Sequence, residues 1–168
     1  MKSHKAKVYT TYIVRKKDED TSFSRSSSDE DEIENLCLMA CHKKKDTKAL
    51  VWSAPSVGWL KCNVDAAFNN NNDTTNREWC VRNHLGNFIY AGTSLDPRTL
   101  PVFEAEALAL KEAILGAISS HLEFVTFEND SQIVTQAIQS NRKGDSEFYL
   151  IIESIRSLLL SFPNFEKI

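Results

Sequence analysis

Three acidic residues of this chain, Asp65, Glu106 and Asp130, stand in patterns that single them out for chemistry. Glu106 belongs to a run from Val102 to Ser120, rich in Ala, Leu and Glu, in which Phe103, Leu110, Ala113, Ile114 and Ala117 recur at helical spacing. At about 100° per residue, Glu106 falls in the middle of that stripe, whereas Glu104 lies on the opposite side near Lys111. An ionised carboxylate on a core-facing stripe is costly unless something pairs with it. The other reading of Glu106 is an acid of the first turn, favoured by the helix dipole where the stripe is not yet buried.

Asp65 lies in the alternating segment Trp59-Leu-Lys-Cys-Asn-Val-Asp65-Ala-Ala-Phe68. Leu60, Cys62, Val64, Ala66 and Phe68 share one face of this strand, and Lys61, Asn63 and Asp65 share the other, so a solvated face explains Asp65 as readily as a metal site. Asp130-Ser131 follows a β-branched and aromatic strand, Leu122 to Phe127, and starts a short helix, Ser131 to Gln139. Asp130 is therefore either a helix N-cap or an acid at the end of a strand, where open α/β sheets place their ligands.

The combination says more than its members. An Asp on a first strand, a Glu near the start of a long helix and an Asp at the end of the next strand can converge at one edge of a sheet. Hard oxygen donors of this kind suit Mg²⁺ or Mn²⁺, and none of the four histidines is needed.

The elements that must position these residues begin near Trp52. After the first strand, the polar tract Asn69 to Asn76 is a loop, Glu78 to Arg82 reads as a second strand, and a turn at His84-Leu-Gly86-Asn leads to a third, Phe88 to Thr93. Short links between three consecutive strands predict an antiparallel meander. The long helix, the strand Leu122 to Phe127, the short helix and an amphipathic helix from Glu147 to Ser161 follow, and Phe165 to Ile168 has the look of a last strand beginning. The order predicts an α/β fold, a mixed sheet with helices packed on it.

Residues 51–168 form the expected domain, and 1–50 a charged, Ser-rich, disordered tail. The first fifty residues carry eleven Lys/Arg against nine Asp/Glu, a net of +2, in runs separated by serine. The remainder carries nine against fourteen, a net of −5, and holds nearly all the aromatic and branched apolar residues. Cys37 and Cys41-His42 lack the second pair of ligands that a closed zinc site requires. No window is long and apolar enough to span a bilayer, and the basic start lacks the apolar core of a secretory signal, so an intracellular protein of nucleus or cytoplasm with reduced thiols is expected.

Four segments together resemble a known family. They are Trp59 to Phe68, then Val81-Arg-Asn-His-Leu-Gly86-Asn-Phe88, then Phe103-Glu-Ala-Glu106-Ala-Leu-Ala-Leu110, then Phe127-Glu-Asn-Asp130-Ser-Gln-Ile-Val134. From Trp52 to Ile168 the chain is similar to the plant ribonuclease H type-1-like domains related to non-LTR retrotransposon reverse transcriptases. The block Ser26 to Ala40 resembles the serine-acidic linker of retrotransposon gag polyproteins.

The resemblance implies a ribonuclease H-like fold and catalytic, metal-binding carboxylates at Asp65, Glu106 and Asp130. It also implies two Mg²⁺ or Mn²⁺ ions about 3.5–4 Å apart that cleave the RNA strand of an RNA–DNA hybrid by in-line hydrolysis. The family pattern runs on through a fifth strand and a last helix with a fourth metal-site residue, so this sequence is expected to be C-terminally incomplete. Glu78 stands where the family usually has glycine, which predicts local irregularity, and Asn83 where it usually has aspartate.

A net acidic domain with no basic cluster beyond Arg142-Lys143 predicts weak nucleic-acid binding. A catalytically inactive, transposon-derived remnant and a protein-interaction segment with a phosphorylatable acidic tail are the alternatives to a nuclease. A monomer without membrane association is expected.

Overall fold

The computed structural model describes residues 10–15, 53–69 and 73–167. Strands β1 (Thr10–Arg15), β2 (Leu60–Asn69), β3 (Thr74–Asn83), β4 (Phe88–Asp96), β5 (Val125–Asn129) and β6 (Phe165–Lys167) form one sheet in the order β1-β4-β3-β2-β5-β6. Helices α1 (Val102–Ser119), α2 (Gln132–Gln139) and α3 (Glu147–Ser161) complete the fold. β2, β3 and β4 make the antiparallel meander, and β2–β5 and β5–β6 are parallel, so the sheet is mixed as expected.

Alternation in the meander decides which face takes the helices. Cys62 and Val64 of β2, Trp79 and Val81 of β3 and Tyr90 of β4 are buried in one core with Ala109, Leu110, Ala113, Ile114 and Ala117 of α1. α1 lies against β2, β3 and α3, and α3 adds Phe148, Ile151, Ile152 and Ile155 to the same core. Small residues on α1 bring it close to the strands: a Cβ on Gly116 would stand 2.6 Å from the Tyr90 hydroxyl. The Trp79 ring crosses over Gly92, its partner in register on β4, where a Cβ would come within 2.3 Å of the indole.

Several boundaries differ from the sequence reading. β3 begins at Thr74, not Glu78, because Thr74–Asn76 pair with the end of β2 across the loop. β5 begins at Val125, not Leu122. His121 and Phe124 take left-handed backbone (φ 54° each), and Leu122 N–H bonds back to Ala117, so these residues finish the exit from α1. The irregularity expected at Glu78 is absent: Glu78 pairs regularly with Asp65 on one side and Thr93 on the other, and the register shift falls at Val81/Arg82. Asn83 shapes the β3–β4 turn, its Oδ1 accepting from the backbone N–H of Leu85 and Asn87 beside the positive-φ Gly86.

Thr10–Arg15 corrects the expectation of a wholly disordered 1–50 tail, since it pairs antiparallel with β4 along Tyr90–Leu95. The stretch Thr-Thr-Tyr-Ile-Val is rich in β-branched and aromatic residues, which suit a strand, and β4 offers an open edge. The Ser-acidic block and Cys37, Cys41 and His42 lie outside the described residues. Among the described residues no helix is long and apolar enough to cross a membrane.

Buried charge is concentrated on one side of α1. Arg77 of β3 is wholly buried, with Nη2 3.0 Å and Nε 3.0 Å from Glu112 of α1 and Nη1 3.7 Å from Asp96 at the end of β4. Arg98 forks onto both oxygens of Asp96, and Ser94 Oγ donates to Glu112. This network ties the meander to the helix that carries Glu106. At the far end of the core, Arg156 of α3 donates to the backbone carbonyls of Ala137, Ile138 and Ser140, satisfying the open C-terminal end of α2.

Candidate metal centre

The parallel β2–β5 register brings two of the three acids together. Val64 is level with Asn129, so one further step along each chain sets Asp65 level with Asp130 on neighbouring strands, where paths run about 4.8 Å apart. α1 enters over the same end of the sheet and supplies Glu106 from its second turn. One ligand oxygen from each of Asp65, Glu106 and Asp130 lies within 4.8 Å of the other two. Three residues spread over 65 positions of sequence thus share one small space.

Their environments differ. Glu106 is 6% exposed, Asp65 is half-buried and Asp130 is exposed. Phe103, on the same expected stripe, is exposed on one side and sets an edge against Phe148 at 5.1 Å, so the buried stripe starts only past the first turn. Burial pushes the Glu106 carboxyl up from 4.5 to about 7, and the negative charges of Asp65 and Asp130 push the same way. Opposing them, Asn129 Nδ2 donates to Glu106 Oε2 at 2.8 Å, and the Ala66 backbone N–H also donates to this carboxyl.

Asp130 does not cap α2. That role belongs to Ser131, whose Oγ accepts from Val134 N–H, leaving Asp130 one residue ahead of the cap. The opposite face of β2 is less solvated than its composition suggests. Lys61 is 4% exposed, held by Ser53 Oγ at 3.1 Å and Glu128 at 3.4 Å, and Asn63 Nδ2 donates to the same Glu128 oxygen at 2.8 Å. Sequence reasoning had no signal for Glu128 and Asn129, because an ordinary polar pair before Asp130 gives no periodicity to read.

The donor set fits a divalent cation. In octahedral coordination at 2.0–2.1 Å, opposite oxygens of one Mg²⁺ are roughly 4.2 Å apart, so small side-chain rotations suffice to close the observed spacing. A buried carboxyl pressed toward its neutral form by two neighbouring acids is also the electrostatic situation that a cation relieves. Asp65, Glu106 and Asp130 are the only such group of potential ligands found among the described residues.

Comparison with known proteins agrees with this architecture. No curated protein sequence matches the chain. RNase H1 of the halophilic archaeon Halobacterium salinarum has a similar structure, with a TM-score of 0.57 at 20% identity over 66% of this chain and 84% of that one. The N-terminal RNase H domain of a Mycobacterium tuberculosis protein, solved as a fusion with maltose-binding protein, gives 0.54 at 14% identity over 65% and 81%. The family model described as reverse transcriptase-like matches residues 63–167, which takes in all three acids, most of β2 and every element from β3 to β6. With more than half its length matched by the family model and its structure similar to solved RNase H domains, the chain belongs to the reverse transcriptase-like family and carries an RNase H-like fold.

Proposed function

We propose that the chain is a nuclease that hydrolyses the RNA strand of RNA–DNA hybrids, with Asp65, Glu106 and Asp130 as its metal-holding and catalytic residues. The observation that carries this reading is the meeting of the three carboxylates within 4.8 Å at one end of the sheet. Two Mg²⁺ or Mn²⁺ ions bound there would supply an activated water and neutralise charge on the scissile phosphate. Asp130, exposed beside the half-buried Asp65, is the acid open to an incoming phosphate. Glu106, the buried member of the three, would hold a cation from the core side, and a bound cation would favour its ionised form. Discrimination of the hybrid would rest on helix shape and on 2′-hydroxyls of the RNA strand, not on base sequence.

The test is cleavage of an end-labelled RNA–DNA hybrid in Mg²⁺ or Mn²⁺. The reading expects internal cuts in the RNA strand alone, none in EDTA, and none by Asp65→Asn. Cleavage that survives Asp65→Asn would discard it.

A second reading, a module of the same descent that binds nucleic acid weakly without turnover, is favoured by the net charge of −5 over residues 51–168. It expects no metal-dependent product even at high protein concentration, together with hybrid binding that fades steeply with salt. Derivation from a plant retrotransposon, supported by the four matching segments, fits either reading.

A further inference from the structure

We infer that Asn129 is the positioning residue of the metal centre, an inference that rests on the reading above. Both ends of its side chain are committed, and each end serves a different acid. Nδ2 donates to Glu106 Oε2 at 2.8 Å, which fixes the orientation of a carboxylate that also accepts from the Ala66 backbone N–H. Oδ1 accepts from the Ser131 backbone N–H at 3.0 Å, closing a turn whose central residue is Asp130.

Asn129 is itself 7% exposed at the end of β5, level with Val64, the residue before Asp65. One amide therefore joins the long helix, the strand end and the Asp130 turn. The groups lie 23 residues apart in the chain, and without this link the rotamer of Glu106 and the direction of Asp130 would be set independently. Through it the two acids present their oxygens to the same point.

Asparagine suits this role for a specific reason. It offers a donor to the carboxylate and an acceptor to the backbone, at the two ends of one rigid plane. Aspartate keeps the acceptor but sets a like charge against Glu106. Leucine matches the shape and keeps neither.

The test measures Mn²⁺ affinity of the full chain directly, by electron paramagnetic resonance of free Mn²⁺, alongside urea denaturation in EDTA. Asn129→Leu is expected to weaken Mn²⁺ binding about 10- to 100-fold, the range usual when a group holding a metal ligand is lost. Asn129→Ser, a smaller change, is expected to weaken it in the same direction and serves if the leucine variant does not fold. Ser131→Ala removes the α2 cap without touching Glu106, so it should lower the urea midpoint while leaving Mn²⁺ affinity within about twofold of wild type. In hybrid cleavage, the Mn²⁺ concentration for half-maximal rate should rise in the Asn129 variants more than kcat at saturating Mn²⁺ falls. Wild-type affinity in a folded Asn129 variant overturns the inference alone. Failure of the unmodified chain to bind Mn²⁺ overturns the metal-centre reading and the inference with it.

Discussion

Replacing Glu106 by Gln isolates the cost of holding a carboxylate in the core without a cation. The group is 6% exposed, faces two other acids, and has its carboxyl raised from 4.5 to about 7. In the unfolded chain it ionises near the ordinary glutamate value, so between about pH 4.5 and 7 the folded state binds more protons than the unfolded one. Stability must then fall as pH rises through that window, and the penalty is complete above pH 7 and absent below pH 4.5. A shift of this size corresponds to about 3 kcal/mol at 1.36 kcal/mol per unit. Urea denaturation in EDTA at pH 5, 6, 7 and 8 should show the wild type losing roughly that amount relative to Glu106→Gln, most of it between pH 5 and 7. The difference between the two proteins cancels titrations they share. Parallel pH profiles would refute the argument, since they would mean that Glu106 ionises in the fold as it does in water.

The same displacement of a proton makes cation binding pH-dependent: Mg²⁺ affinity, followed by calorimetry, should drop toward tenfold per unit as pH falls below about 7 and level off above it. Arg77→Ala takes a guanidinium away from the buried Asp96 and from Glu112, and should cost about 3–5 kcal/mol by urea denaturation. Gly92→Ala drives a methyl into the Trp79 ring at 2.3 Å, so a loss of about 1–3 kcal/mol with altered tryptophan fluorescence is expected.

Period-2 and period-3.6 patterns carried most of the fold. β2 alternates from Cys62 to Ala66, with Cys62 and Val64 in the core, and the apolar stripe of α1 is buried from Glu106 onward. Boundaries were harder where backbone conformation, not side-chain pattern, decides them. Leu122 to Phe124 reads as strand by composition, yet the left-handed His121 and Phe124 spend those residues on leaving the helix. Lys61 looked solvated because alternation reports a face and not what covers it, here Ser53 and Glu128.

The convergence of Asp65, Glu106 and Asp130 was legible because each sits at a position set by element order: a strand, a helix start and a strand end. Whether Asp130 is a helix N-cap or a strand-end acid was open in sequence, and the capping of α2 by Ser131 is what leaves Asp130 outside the helix. Asn129 was invisible, since its role depends on two hydrogen bonds to residues 23 positions back and two ahead. The strand Thr10–Arg15 was masked by the charged sequence around it, although its own residues favour β structure.

The most direct measurement is the anomalous scattering of Mn²⁺ in crystals of the protein. The account predicts density among the carboxylate oxygens of Asp65, Glu106 and Asp130, with Asn129 still bonded to Glu106. Manganese bound only elsewhere on the surface, with these three side chains turned apart, would contradict it.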